Sequence, residues 1–456
     1  MRTSTLLLAT ILALPLTAAE PFRDVDAAVM DVLAKTGAPS ASIAIVQDGQ
    51  LAYTRAYGLA DVASKTPATP EMRYSIGSIS KQFTAAALLL LAEEGRLSLD
   101  DKLIRWMPEL TRAGDVTIRQ LLSMTSGYQD FWPQDYVMPG MFEDVTVEKI
   151  LNDWAMKPLD FEPGSKWQYS NTNYVIAGGI VNRVSGMPFF DFLQSRIFTP
   201  LGMTTVFNTD QAALGLDDPM RYHRYGLAPV RVAPKEGRGW MYAAGGLSMT
   251  AADLAKWDIA MIERKLLKPE SWAAMQREML LTSGAGTRYG LGVSITTAEG
   301  RRVIAHGGEV SGFTARNEVY PEERAAIVVF TNLDATDASM QIASKIASSI
   351  FTASDPGRQQ ALDRAKAIFA DLQRGRIDRT LFTSNANAYF SDDAIHDFAT
   401  TLRPLGNPKE FTQASRSLRG GMIARRYRVV TPKKTLRIST FWMPDGKLEQ
   451  YIVTAE

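Results

Sequence analysis

Ser78 and Lys81 stand three residues apart in the run Ser78-Ile79-Ser80-Lys81. On a helix that spacing places both side chains on one face, one turn apart, so the amine can reach the hydroxyl. A neutral lysine can accept a serine proton, and burial in a cleft depresses a lysine pKa in the direction that reaction needs. Alone the pair is a weak signal: S-x-x-K also describes a helix start with a solvated lysine. It occurs once in this chain.

Two further groups can join that chemistry. Tyr169-Ser170-Asn171 closes the run Phe161 to Asn171, FEPGSKWQYSN. A tyrosine beside a lysine can relay a proton, and the asparagine offers a donor and an acceptor to a substrate amide. The plainer reading is a loop tyrosine with its hydroxyl hydrogen-bonded. His306-Gly307-Gly308 follows the strand-like run Arg302 to Ala305. Glycines there let a substrate approach the backbone, whose free amides are good donors to an oxyanion. A strand-ending turn would read the same way.

Other chemistries find no support in the pattern. His223, His306 and His396 are far apart and in no metal-ligand spacing, and the chain has no cysteine. That removes thiolate metal sites, disulfides and a cysteine nucleophile. The G-x-S-x-G elbow of α/β hydrolases is missing, as are phosphate-cradling glycine loops. Neither a metal nor a cofactor is expected.

The elements that must position these residues follow from periodicity. Ser42 to Tyr57 alternates apolar and polar residues around Asp48-Gly49, which predicts a hairpin. Tyr289 to Ile295, Arg302 to Ala305, Thr314 to Tyr320 and Ala325 to Thr331 predict further strands. Between them lie helical patterns over Lys81 to Glu94, Thr117 to Ser123, Thr146 to Trp154, Tyr174 to Val184 and Phe189 to Ile197. If the two strand-rich ends share one antiparallel sheet, the middle is a helical lobe inserted against it, with the site in the cleft between. The aromatic and methionine-rich loop Gln129 to Phe142 is expected to line that cleft or to pack as a flap.

The 456-residue chain carries 50 basic and 49 acidic residues, a balance that gives no reason to expect nucleic acid or a charged membrane surface. Residues 1–19, MRTSTLLLATILALPLTAA, read as a signal peptide cut after Ala19, which predicts an exported protein, periplasmic or secreted. The apolar run Leu6 to Leu16 is shorter than the roughly 20 residues of a membrane span, and no stable span is expected in the mature protein. Residues 20–353 form the expected main domain. After a last helical stretch, Ala335 to Phe351, the turn residues Ser354-Asp355-Pro356-Gly357 mark a boundary. Residues 358–456 are then a small α+β domain, with a helix over Arg358 to Leu372 and strands over Met422 to Val430, Thr435 to Met443 and Leu448 to Val453. Its basic run, Arg416 to Arg437, reads either as an anionic-partner surface or as a solvated sheet face balanced by acids.

Taken together, the three groups in the order S-x-x-K, Y-x-N, H-x-G resemble the β-lactamase-related serine hydrolases: class C β-lactamases, D-alanyl-D-alanine carboxypeptidases, D-aminopeptidases and related esterases. Val116 to Tyr128, Ala243 to Leu254 and His306 to Phe313 resemble the same family. The likeness covers about residues 25–350 and does not reach the tail. It implies an α+β fold of the β-lactamase/transpeptidase type, an antiparallel sheet flanked by helices. It also implies that Ser78 attacks a carbonyl, that Lys81 and Tyr169 move the proton, and that Asn171 holds the substrate amide. The backbone amides of Ser78 and Glu309 would form the oxyanion hole, and His306, Gly307 and Gly308 would line the substrate site. Penicillin-recognising relatives usually carry lysine where this chain has His306. The resemblance therefore favours a peptidase or esterase acting on a small ester, amide or peptide, D-amino-acid peptides included. A β-lactamase or carboxypeptidase, and a binding or scaffold protein that keeps the fold, remain the alternatives.

Overall fold

The computed structural model describes residues 22–351, 355 and 357–456. The expected signal peptide, and Ser354 and Pro356 of the expected boundary, lie outside the described residues. Two strands, β1 (Ser40–Gln47) and β2 (Gln50–Asp61), form the hairpin around Asp48-Gly49, both of which take positive φ. With β3 (Thr66–Pro67), β4 (Ser294–Ala298), β5 (Arg301–Val310), β6 (Phe313–Tyr320) and β7 (Ala325–Thr331) they build one antiparallel sheet. Its order is β3-β2-β1-β7-β6-β5-β4. The two ends of the sequence meet at β1 and β7, with Ile43 opposite Val329.

Both faces of this sheet are covered, so β7 is buried along its whole length, as a strand with helices on each side must be. On one face pack α1 (Arg23–Thr36) and α5 (Ala338–Ile350), around Val29, Ile327 and Ile342. On the other lies the helical lobe, with α2 (Lys81–Glu93), α3 (Asn171–Ser185) and α4 (Ala251–Glu263). Every residue of α2 from Lys81 to Leu91 is buried. A helix enclosed all round sits in the middle of a core, and its one charged residue there, Lys81, must find partners inside the protein.

Three expectations change. The strand expected over Tyr289 to Ile295 begins only at Ser294, because Gly290 and Gly292 turn the chain, the Gly290 amide bonding to the Val293 carbonyl. Gly292 has φ 74°, and a Cβ there would lie 2.8 Å from the Lys81 carbonyl oxygen. The histidine-glycine group does not end a strand: β5 runs through it to Val310, and the turn falls at Ser311-Gly312. The helices expected over Thr146 to Trp154 and Phe189 to Ile197 widen into π-helical turns at Leu151–Ala155 and Gln194–Phe198.

A separate four-stranded antiparallel sheet follows, formed in sequence order by β8 (Glu410–Arg419), β9 (Met422–Val430), β10 (Thr435–Trp442) and β11 (Leu448–Ala455). It packs with α6 (Arg358–Gln373) and α7 (Asp392–Leu402) around its own core of Phe369, Tyr427, Ile438 and Tyr451. The first strand was not expected from its mostly polar sequence. Three arginines here have acidic partners: Arg425, only 3% exposed, meets Asp355, Arg428 meets Glu410 and Glu456, and Arg437 also meets Glu456. The balanced sheet face is the reading the structure supports.

Candidate active site

Ser78 sits in a 3-10 turn, Gly77–Ser80, that feeds directly into α2. Gly77 has φ 51°, and a Cβ there would lie 2.8 Å from the Glu309 amide nitrogen. A Cβ on Gly308 would lie 1.9 Å from the Ile76 carbonyl oxygen. These two glycines let the serine turn and β5 press backbone against backbone. Counting from the two-residue hairpin closed by Val310 and Phe313, strand alternation turns the Gly307 and Glu309 amides away from β6. They face the edge that β4 leaves open, since its pairing stops at Ala305. The Glu309 amide thus lies against Gly77, the residue before Ser78.

Lys81 is fully buried, so the solvated-lysine reading falls. Its Nζ lies 2.9 Å from Ser78 Oγ, 2.8 Å from Asn171 Oδ1 and 2.8 Å from the Ala244 carbonyl oxygen. The last two partners are acceptors only, so they take two N–H bonds. The third tetrahedral position faces Ser78. In a neutral lysine that position is the lone pair, aimed at the serine proton. Burial brings the lysine pKa down to about 7, with the nearby Asp130 charge opposing the fall.

Tyr169 stands over the same amine, with its ring centroid 5.0 Å from Nζ. Burial pushes this phenol well above its ordinary range, so at neutral pH it keeps its proton. His306 is 5% exposed and lies across the cleft, 6.3 Å from Tyr169 between ring centroids. Burial, with Lys81 and Arg316 nearby, brings it down to about 3, so its imidazole is neutral.

Asn171 opens α3 and is placed by a residue that sequence reasoning missed. Asp130 Oδ1 accepts the Asn171 backbone amide at 2.9 Å and the Trp132 amide at 3.2 Å, while Oδ2 accepts Asn171 Nδ2 at 3.3 Å. The Asn171 side chain therefore spends its oxygen on Lys81 and one amide hydrogen on Asp130. The signal that existed was the loop Gln129 to Phe142, and Asp130 through Val137 do line the cleft. The other missed contact is Ala244, on a short turn tied to α2 by Thr84 Oγ1 donating to the Ala243 carbonyl. The cleft is about 1010 Å³ and brings Ser78, Tyr169, Asn171, His306, Gly307, Gly308 and Glu309 together on its wall. Lys81 lies beneath it.

The beta-lactamase family profile matches residues 25–348, most of the chain. The chain belongs to the beta-lactamase family. Among family relatives, it is 26% identical to penicillin-binding protein 4* of Bacillus subtilis over 379 residues, covering 79% of this chain and 81% of that one. It is 26% identical to the D-aminopeptidase of Brucella anthropi over 402 residues, 84% of this chain and 76% of that one. The structure of a D-stereospecific amidohydrolase from Streptomyces superposes with a TM-score of 0.62 at 27% identity, over 71% of this chain and 98% of that one. The sheet with its helical lobe is thus the β-lactamase/transpeptidase-like fold.

Proposed function

We propose that this protein is an exported serine hydrolase that cleaves small amides or esters, D-amino-acid amides and peptides among them, through an acyl-enzyme on Ser78. The observation that carries the reading is the Lys81 amine, 2.9 Å from Ser78 Oγ with its other two directions taken by acceptors. Neutral Lys81 takes the Ser78 proton as Oγ bonds to the substrate carbonyl carbon. The carbonyl oxygen becomes an oxyanion held by the Ser78 and Glu309 amides, each worth on the order of 3 kcal/mol. As the intermediate collapses, the carbon-nitrogen or carbon-oxygen bond breaks, and the leaving group takes a proton from Tyr169, which Lys81 replenishes. Water then attacks the acyl ester and gives a proton to Lys81 and Tyr169; the bond from carbon to Ser78 Oγ breaks, the acid product leaves and that proton returns to Ser78.

Neutral His306 supports an amidase or esterase over a β-lactamase, because it supplies no cation to a substrate carboxylate. The D-aminopeptidase and D-stereospecific amidohydrolase relatives support the amide class. Export rests on the sequence of residues 1–19 and is checked by the amino-terminal sequence of the mature protein. The activity is checked with D- and L-amino-acid anilides, short-chain esters and a penicillin, each against wild type and Ser78→Ala. Turnover of an anilide or ester that Ser78→Ala lacks supports the reading. A folded wild type that turns over none of them sinks it.

A further inference from the structure

We propose that Asp130 is a positioning residue that fixes the amide of Asn171 and so aims the Lys81 lone pair at Ser78. This rests on the serine-hydrolase reading above and adds a residue to it.

Helix α3 opens without a side-chain cap of its own: its preceding residue, Ser170, makes none, so the first amides of the helix need an acceptor from elsewhere. Asp130 supplies one from the Gln129 to Phe142 loop, at 2.9 Å from the Asn171 amide. A cap needs only that one bond, and the carboxylate makes two more. Trp132 donates to the same oxygen in a local turn that holds the carboxylate still, and the second oxygen meets Asn171 Nδ2. The Trp132 carbonyl, 3.5 Å from Nδ2, is a further acceptor on that side. Acceptors alone thus surround Nδ2, which forces Oδ1 toward Lys81.

The consequence lies at the amine. Were Asn171 to flip, its NH2 would face the Lys81 N–H, donor against donor. Lys81 would then turn its lone pair toward Asn171 and a hydrogen toward Ser78, the wrong direction for taking a proton. Asp130 also acts through charge. Facing Lys81 are Tyr169 and Tyr174, with ring centroids 5.0 and 5.5 Å away, and neutral His306, with Arg316 beyond it. Glu309 holds its carboxylate at the Ala335 amide, on the other side of β5. Among the described residues, Asp130 is the acidic group whose field reaches the amine and supports its protonated form; burial raises its own carboxyl above the usual range, opposed by the Asn171 and Trp132 amides and by the Lys81 charge.

Asp130→Asn is the test, with Asp130→Ser beside it because serine keeps a capping acceptor without charge. Two readouts are taken on protein whose thermal midpoint matches wild type: the pH dependence of the rate at which a fluorophosphonate labels Ser78, and the titration of Lys81 by its 13Cε chemical shift. Both variants should label at least tenfold more slowly at high pH, and the Lys81 titration should move down by about one pH unit. Asp130→Glu should recover part of the rate. The NMR titration does not depend on turnover, so it separates this proposal from the hydrolase reading, which stands or falls on wild-type labelling at Ser78. Wild-type labelling rates in both variants, or a slower rate with an unmoved Lys81 titration, would reduce Asp130 to a helix cap and overturn the proposal.

Discussion

Tyr289 lies with its hydroxyl 2.9 Å from Nε2 of His306, while Nδ1 of the same ring is 2.5 Å from the Gly307 carbonyl oxygen. A carbonyl only accepts, so Nδ1 carries the ring proton and Nε2 accepts from Tyr289. The two contacts fix the tautomer and the tilt of the ring beside the open edge of β5. Tyr289→Phe is therefore expected to leave Nε2 buried and unpaired, at a cost of about 1–3 kcal/mol. The midpoint of urea unfolding measures it. An unchanged midpoint would mean that water replaces the phenol.

The pH dependence of the reaction follows from Lys81. Its amine titrates at about 7, so kcat/KM should rise through neutral pH as the proton leaves. His306 is held down to about 3 and adds no limb of its own between there and neutrality. The sign for stability is the opposite of a paired lysine. Burial lowers the folded pKa, so the unfolded chain binds the extra proton between about 7 and the usual lysine value, and Lys81 costs stability below 7 that is relieved as pH rises. A rate profile measured with an uncharged ester would contradict this if it were flat from acid to alkaline pH.

Adjacent glycines should respond differently to the same methyl group. Gly308→Ala puts a Cβ against the Ile76 carbonyl and must move β5 away from the serine turn. Loss of an oxyanion donor then lowers kcat by roughly 100-fold. Gly307→Ala meets nothing nearer than the Ala315 carbonyl oxygen at 3.9 Å, so the fold should accept it and any effect should appear in KM. Steady-state kinetics and a melting curve on the pair distinguish the two.

Asp258 is fully buried on α4, where Asn317 Nδ2 lies 2.9 and 2.8 Å from its two oxygens. Burial pushes its carboxyl well above the usual range. The folded protein therefore keeps a proton that the unfolded chain releases above about pH 4, and this site loses stability as pH rises from there toward the folded pKa. Asp258→Asn should flatten the rise or fall of the thermal midpoint over that window and raise it at neutral pH. A midpoint with the same pH slope as wild type would show that the carboxyl is ionised in place.

The parts of this site legible in the sequence were those whose chemistry is local. Ser78 and Lys81 share one turn, and Asp48-Gly49 announces its own hairpin. Asp130 escaped notice because its partners, Asn171 and Lys81, are 41 and 49 residues away, and an aspartate in a loop reads as solvated until α3 is seen to lack a cap of its own. Ala244 escaped because a backbone carbonyl has no signature. Apolar alternation places Tyr289 in a strand, whereas Gly290 and Gly292 turn the chain and leave Tyr289 against His306. Strand β8 was passed over because its side chains are mainly polar, and only its pairing with β9 defines it.

Everything proposed for this cleft depends on Ser78 being a nucleophile made reactive by Lys81. Intact-mass spectrometry of the mature protein after exposure to a fluorophosphonate tests it most directly. A single adduct is expected on wild type, localised to Ser78 and lost in Ser78→Ala, forming faster above neutral pH than below. Folded wild type that stays unmodified, or an adduct that persists in Ser78→Ala, would contradict it.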